Sequence, residues 1–403
     1  MTTTERRNLR TGRSYWLGRR APRIAAQPLR KDIKTEVLIV GAGISGSFLA
    51  EALCETHRVV VVDRRGPATG STPASTALIE FEIDTPLVLL ADKIGRRDAI
   101  RAWRRSRLAV TALAERTRRL GIDCDLVERS SLYLSGDILD AEGIAAEAEA
   151  RQAAGIETEF LSRHALKQRF GIARSAALLA FNDYAADPRR LALGYLDVAV
   201  SRGTEVYAPV DVTDIETHSG GIVAATGAGH TIRAETIIFC TGYERPLFVP
   251  GRKHRVASTY AIATRPQKRR LWPGPCLVWE ASDPYLYVRD TPGGAVICGG
   301  EDEDFLDPEA RDGLLPRKTR ALEKKLARLF PELDSRATYA WTGSFGVTST
   351  GLPLIGRVPG KPHCWAVLGF GGNGITYAQI TAQLIRTELT GSRDPDGDLY
   401  AFT

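Results

Sequence analysis

Four aliphatic residues in a row, Val37–Val40, run directly into Gly41-Ala42-Gly43-Ile44-Ser45-Gly46. A short unbroken apolar run of this kind is the pattern of a strand buried on both faces. "SFLAEALCE" then begins an amphipathic helix, and "RVVVVD" is a second buried strand that ends at Asp63. Together they predict a βαβ unit. Residues 98–120 place apolar positions at helical spacing with arginines between them, which predicts a helix with a solvated basic face. Residues 191–208 read as a helix, a glycine turn and a strand. Residues 221–244 read as a hairpin followed by a buried strand, 236–240, that stops at Thr241-Gly242. From about 256 to 340 the pattern becomes strands and hairpins with proline and glycine turns, as in "TYAIATRP", "CLVWEAS" and "YLYVRDTPGGAVICGG". Near the end, "CWAVLGF" is a buried strand and "ITYAQITAQLIRTEL" an amphipathic helix. Four glycines separate them within "GFGGNG".

The first glycine cluster has a physical task at each position. Gly41 permits the tight turn, Gly43 lets the backbone approach a pyrophosphate, and Gly46 lets the helix pack close to the strand. Ile44 and Ser45 begin the helix, whose free N–H groups and positive dipole end favour phosphate. Asp63 lies 22 residues after Gly41, at the distance from which an acid accepts hydrogen bonds from a ribose. Arg64 next to it reads as a surface or adenine-side cation. These features predict a dinucleotide but do not separate NAD from FAD.

The stretch after Asp63 bears on that choice. An NAD dehydrogenase continues directly into further βα units. Here residues 67–86, "PATGSTPASTALIEFEIDTP", are instead a loop rich in small hydroxyl side chains that offer donors to a bound ligand. The nucleotide pattern resumes only near 191, so one nucleotide domain is split by an insertion. The late "GFGGNGITYA" has no βα unit or ribose acid after it. Its glycines turn the backbone tightly against a flat ligand, and Asn373 tolerates the left-handed conformation. It therefore reads as the completion, at the cofactor's opposite end, of the site begun at Gly41.

Composition narrows the class. The chain has 403 residues, 43% hydrophobic and 25% charged, enough for two interleaved domains with a large core. Net charge is +6, and much of the excess lies in residues 1–35. That basic arm is expected to be a solvated leader packed across the surface. No nucleic-acid module appears elsewhere, and Arg19-Arg20 is not followed by the apolar stretch of an export signal. The six cysteines form no CxxC pair and the six histidines no ligand spacing, so a cytoplasmic protein with reduced thiols and no metal is expected. The acidic "GGEDEDFLDPEARDG" (299–313) lacks EF-hand spacing and reads as a solvated loop. No apolar run approaches the roughly 18 residues of a membrane helix.

Four stretches, in this order, resemble the FAD-dependent D-amino-acid oxidase superfamily, in the branch with glycine, sarcosine and γ-glutamylputrescine oxidases. They are "VLIVGAGISGSFLAEAL" with Asp63, "STPASTALIEFEIDTP", "ETIIFCTGYE" and "YAWTGSFGVTSTGLPLIGRVPG…LGFGGNGITYAQ". The resemblance implies an α/β fold. A discontinuous Rossmann-like FAD-binding domain would comprise 36–90, 185–255 and 341–403, and a mixed or antiparallel sheet for substrate would comprise 91–184 and 256–340. Gly41, Gly43 and Gly46 would bind the pyrophosphate together with Ile44 and Ser45. Asp63, where relatives usually carry Glu, would reach the ribose. Ser71, Thr72, Ser75 and Thr76 would line pyrophosphate and flavin, Val210 would lie near adenine, and Thr241 and Gly242 would pass under the cofactor. Gly343, Gly371, Gly372, Asn373, Gly374, Ile375 and Thr376 would reach the flavin.

Two departures sharpen the expectation. Covalent relatives attach FAD through a Cys near Gly343–Phe345 or a His in the early loop. This chain has no Cys between 299 and 363 and no His between 58 and 163, so FAD is expected to be non-covalent. Glycine oxidase-like enzymes place an Arg-Pro-Gly where Phe345-Gly346-Val347 stands here, and that arginine clamps a substrate carboxylate. Arg289 is the candidate substitute. Tyr260, Trp279, Tyr285, Tyr287, Trp341 and Phe345 are candidate pocket walls, and no general base is named. The implied activity is oxidation of the C–N bond of a small amine or amino acid by hydride transfer to flavin N5, with oxygen or an electron carrier as acceptor. The alternatives are a non-catalytic or sensory flavoprotein, a dehydrogenase subunit of a larger complex, and an NAD(P) enzyme with a fortuitous late glycine loop.

Overall fold

A computed structural model describes residues 3–249, 254–268, 274 and 276–402. Residues 250–253, 269–273 and 275, inside the expected segments 185–255 and 256–340, lie outside it. Val37–Val40 is fully buried, as its composition predicts. It sits inside a six-stranded sheet ordered Leu354–Arg357, Cys364–Leu368, Thr236–Phe239, Val37–Val40, Val59–Val62, Glu205–Tyr207. Neighbours are parallel except the first pair. The central strands thus come from distant parts of the chain, which is the split predicted from the pattern.

One face of this sheet carries the helix Ile44–Leu53, packed against Pro188–Ser201 and Gly374–Leu389. The expected amphipathic character is not found: eight of its ten residues are buried. Helices on both sides close off its outer face, and the buried Glu51 is neutralised there by Arg116 and Arg202. The other face meets a four-stranded sheet that contains the predicted hairpin, Gly221–Thr226 with Thr231–Ala234. Leu38, Val40, Val60 and Val62 pack there on Val212, Ile222 and Ile232.

A second large sheet has nine strands and is mixed. Its path runs Ala337–Thr348, His254–Thr264, Val296–Glu303, Leu286–Asp290, Cys276–Glu280, Val127–Leu134, Ala176–Ala185, Leu78–Ile79, with Thr158–Ser162 beside Ala176–Ala185. The strands expected between 256 and 340 are present, but so is a 22-residue helix, Pro308–Leu329, which the pattern did not predict. Asp307 caps it by accepting from the N–H groups of Glu309 and Ala310, and Pro308 takes the first helical position. Leu322, Leu326 and Leu329 pack on Tyr260, Ile262 and Cys298 of the sheet. The acidic stretch 299–313 is therefore not one solvated loop. Its beginning ends the strand Val296–Glu303, and its close begins this helix.

The basic arm is more than a solvated leader. Leu9, Trp16 and Leu29 are buried, the N–H of Arg13 donates to the carbonyl of Ala340 (3.0 Å), and that of Thr342 donates to Thr11 (2.9 Å). The Trp16 indole donates to the carbonyl of Ser75 at 2.7 Å. Among the described residues no helix is long and apolar enough to cross a membrane.

Candidate functional site

A cleft of about 1730 Å³, its open mouth included, runs from the C-terminal ends of Val37–Val40 and Val59–Val62 to the nine-stranded sheet. Its wall draws on residues of both large sheets, so it suits a long ligand. Its wall includes Gly41, Gly43, Ile44, Ser45, Asp63 and Arg64 at one end. Ser71, Thr72, Ser75, Thr76, Val210, Thr241 and Gly242 also line it. Gly343, Phe345 and Gly371 to Ile375 line it at the other end, with Trp279, Tyr285 and Tyr287.

The first glycine cluster is shaped by close approach. Gly41 has φ +112°, and a Cβ there would lie 2.9 Å from the carbonyl carbon of Cys240 and closer to its oxygen. A Cβ on Gly46 would strike the carbonyl of Gly41, so Gly46 serves helix packing and does not line the cleft. The helix Ile44–Leu53 has no side chain of its own capping its N-terminus; the N–H of Ile44 donates to the Thr72 hydroxyl at 3.1 Å. Asp63 is already engaged. One carboxylate oxygen accepts from the N–H of Ala42 (2.8 Å). The other accepts from the N–H groups of Arg65 (2.7 Å) and Gly66 (2.8 Å). Arg64 and Arg65 both pair with Glu244, and one nitrogen of Arg64 is buried without a hydrogen bond.

The late glycine loop is tied to residues 80–84. The N–H of Gly372 donates to the Asp84 carboxylate at 2.6 Å. The Asn373 amide accepts from the N–H of Asp84 (3.1 Å) and donates to the carbonyl of Glu82 (2.8 Å). Gly371 has φ +55°, and a Cβ there would lie 2.7 Å from Asp84. Asn373 itself has φ −86°, so the expected left-handed conformation belongs to Gly369 and Gly371 instead. Asn373 does not use its side chain to cap Gly374–Leu389, which leaves the first N–H groups of that helix free beside the cleft. Thr376 is buried off the wall, and its hydroxyl donates to the carbonyl of Glu80 at 2.8 Å.

Three expected pocket walls are corrected. Tyr260, Arg289 and Trp341 are buried and do not line the cleft. Tyr260 packs into the sheet's other face with Lys318 over its ring. The Trp341 indole donates to the carbonyl of Ala74 at 2.9 Å. Arg289 donates to the carbonyls of Ala77 (2.6 Å) and Ala186 (3.0 Å) and lies over Trp16, so its donors are spent on the backbone. Burial lowers its pKa to about 10.

Glu80, Asp84, Thr259, Phe370 and the arm residues Thr3, Thr4 and Leu9 also line the cleft and were not singled out from sequence. The visible signal was "EFEID", acids alternating with apolar residues inside a loop of small side chains. Burial holds the Glu80 carboxyl well above the usual range, reinforced by the neighbouring Glu82 and Asp84. Asp84 is open to the cleft yet enclosed by protein, and burial raises its pKa too, against the N–H of Gly372. Beneath them Arg151 holds Glu82 (3.0 Å) and Glu147 (2.8 Å).

Comparison with known proteins agrees with this geometry. The profile of the family described as DAO, FAD dependent oxidoreductase, matches residues 36–387. Glycine oxidase of Geobacillus kaustophilus is 25% identical over 386 residues, covering 91% of this chain and 96% of the relative. Gamma-glutamylputrescine oxidoreductase of Escherichia coli is 24% identical over 382 residues, covering 91% and 86%. The solved structure of the Geobacillus glycine oxidase aligns with TM-score 0.74 at 21% identity over 92% of this chain and 98% of that one. L-proline dehydrogenase from P. horikoshii gives 0.75 at 18% identity over 92% and 97%.

Proposed function

The chain belongs to the FAD dependent oxidoreductase family, and from that premise we propose that it oxidises the C–N bond of a small amine or amino acid. The observation that carries this reading is the single cleft, which joins a glycine cradle at Gly41 to an aromatic chamber at Tyr285 and Tyr287. The cradle fits the cofactor: a positive φ disfavours a side chain at Gly41 and Gly371, where a Cβ would meet the Cys240 backbone and the Asp84 carboxylate, and two helix N-termini, at Ile44 and Gly374, open onto the cleft. Gly41 to Ser45, Thr72, Thr241 and Gly242 would hold the pyrophosphate side, with Asp63 and Val210 at the adenosine. Gly371 to Ile375 would hold the flavin. Bound FAD supplies the hydride acceptor.

The protein's own contribution is positional. Trp279, Tyr285, Tyr287 and Phe345 exclude water and favour the neutral form of the reacting amine by desolvation. The uncapped start of Gly374–Leu389 offers positive potential where negative charge accumulates. Non-covalent attachment is the favoured mode. Among the cleft's lining residues Cys240 is the one thiol, and burial raises its pKa to about 12, so it is a poor nucleophile. Free cysteines support a reducing, cytoplasmic location. The two large sheets support a division into a discontinuous FAD-binding domain and a substrate domain, with the strands Leu78–Ile79 and Ala337–Thr348 on the substrate side.

The test is direct. Purified protein should be yellow, denaturation should release free FAD, and an amine or amino acid should bleach the flavin without oxygen. Peroxide release under air then separates an oxidase from a dehydrogenase. Protein that stays colourless after reconstitution with FAD, or a flavin that no amine or amino acid reduces, overturns the proposal.

A further inference from the structure

Charge is distributed unevenly along the cleft. Its lining cations, Arg64 and Arg65, stand at the Asp63 end, where Glu244 and Asp211 neutralise them. At the aromatic end the lining residues include no lysine or arginine, and the ionisable acids there are Glu80 and Asp84. The two acids are close enough to oppose each other's ionisation, and both raise the pKa of Tyr285. Glu80 is only 8% exposed, lies on the cleft wall, and receives a single long hydrogen bond from the Ser131 hydroxyl, at 3.4 Å. Arg151 pairs with Glu82 and Glu147 and makes no ion pair with Glu80, and the guanidinium of Arg289 is turned to backbone carbonyls. On the amine-oxidation reading, we infer that this end of the cleft binds a substrate with a second, cationic nitrogen and no carboxylate, a diamine or polyamine, anchored by Glu80 and Asp84.

The chemistry favours that class in two ways. A substrate carboxylate placed here would meet two acids and no cation, so nothing on the wall would replace the hydration it loses. An amine must be uncharged at the nitrogen beside the carbon that gives up hydride, so a charge held by the acids belongs to a different nitrogen of the same molecule. An ammonium entering the cleft restores the ionised form of Glu80 that burial and its neighbours suppress. The faces of Trp279, Tyr285 and Tyr287 supply apolar contact for the methylene chain and a cation–π surface.

The experiment uses the full-length FAD-loaded protein in anaerobic stopped-flow. The apparent Kd and limiting rate of flavin reduction are measured with 1,4-diaminobutane, spermidine, butylamine, glycine, sarcosine and proline. A diamine is expected to bind at least about tenfold more tightly than butylamine, the fold-change of one charge-assisted hydrogen bond. Glu80→Gln should raise the apparent Kd for the diamine about tenfold while leaving that for butylamine within about twofold. Perturbation of the flavin spectrum by the bis-quaternary diamine, whose nitrogens have no lone pair to assist hydride loss, should weaken in parallel. Asp84→Asn gives a second measure should Glu80→Gln fold poorly. Equal affinity for diamine and butylamine, or reduction by glycine, sarcosine or proline at lower concentration than by any diamine, overturns this inference and leaves the amine-oxidation reading intact. Reduction by none of the six overturns both.

Discussion

On the proposed placement of the cofactor, Gly374 is a glycine that the protein alone does not require. It opens the helix Gly374–Leu389 with an ordinary negative φ, and a Cβ built there meets nothing closer than 4.0 Å, the Phe370 side chain. The chain alone therefore accepts a side chain at this position. Replacing glycine in a helix by a residue with a Cβ changes stability by up to about 1 kcal/mol in the favourable direction. Gly374 lines the cleft, however, and a flavin edge lying against its backbone leaves no room for an isopropyl group. Overpacking of this kind costs about 1–3 kcal/mol, or roughly 5–150-fold in Kd. Gly374→Val should thus give an apoprotein at least as heat-stable as the parent and a weakened FAD complex. The assay is FAD titration of the apoprotein by fluorescence quenching, with the melting temperature of the apoprotein in parallel. Gly41→Ala is the contrast: with φ +112° and Cys240 against the new Cβ, it should lower the apoprotein's own stability. Unchanged FAD affinity in Gly374→Val with full solubility would refute the placement of the loop at the cofactor.

Two further substitutions probe residues beside the cleft. Arg289→Lys keeps the charge but loses the planar guanidinium whose Nη1 meets the carbonyls of Ala77 and Ala186 while its Nε meets that of Asp290; it should lower the melting temperature by several degrees while leaving substrate KM within about twofold, and a KM increase of tenfold or more at unchanged stability would restore Arg289 as a substrate clamp. Asp302, enclosed near Thr259, has its pKa raised to about 7 by burial. A carboxyl easier to protonate in the folded state contributes stability at low pH that is lost as pH rises from about 4 to about 7. Asp302→Asn, permanently neutral, should therefore raise the melting temperature relative to wild type more at pH 8 than at pH 4.5, and an equal difference at both pH values would refute the assignment.

The nucleotide-binding sheet was legible in the sequence because its signals are local. Four aliphatics, a glycine turn and an acid 22 residues on need no knowledge of the rest of the chain. The helix Pro308–Leu329 was hidden because Gly313 and Pro316 lie inside it, and both residues read as turn formers. Its capping signal, Asp307-Pro308, was present but embedded in an acidic run. The outer face of Ile44–Leu53 is covered by helices that begin some 140 and 330 residues later, which no local periodicity records. Arg289 was placed on the right strand, two residues from Tyr287. What removes it from the cleft is the arm: Trp16 lies over its guanidinium at 5.3 Å, and an arm read as a solvated leader carries no such contact.

The acids of "EFEID" show the same limit from the side of chemistry. Alternation with Phe81 and Ile83 is visible in the chain, but the environment is made by Asp183 and Ser131 from two strands, Arg151 from a helix and Asn373 from the late glycine loop. Arg151 has one positive charge and pairs directly with Glu82 and Glu147, so its pull on Glu80 is only partial. Burial raises the pKa of both Glu80 and Asp183, and each is raised further by its neighbours. Glu80, unlike Asp183, lies on the cleft wall. A cation arriving in the cleft therefore meets Glu80, whereas Asp183 stays behind the wall. On the diamine reading, an arriving ammonium takes the place of the proton that burial favours on Glu80. This lets an apolar, aromatic chamber both keep one nitrogen uncharged and hold another that is charged.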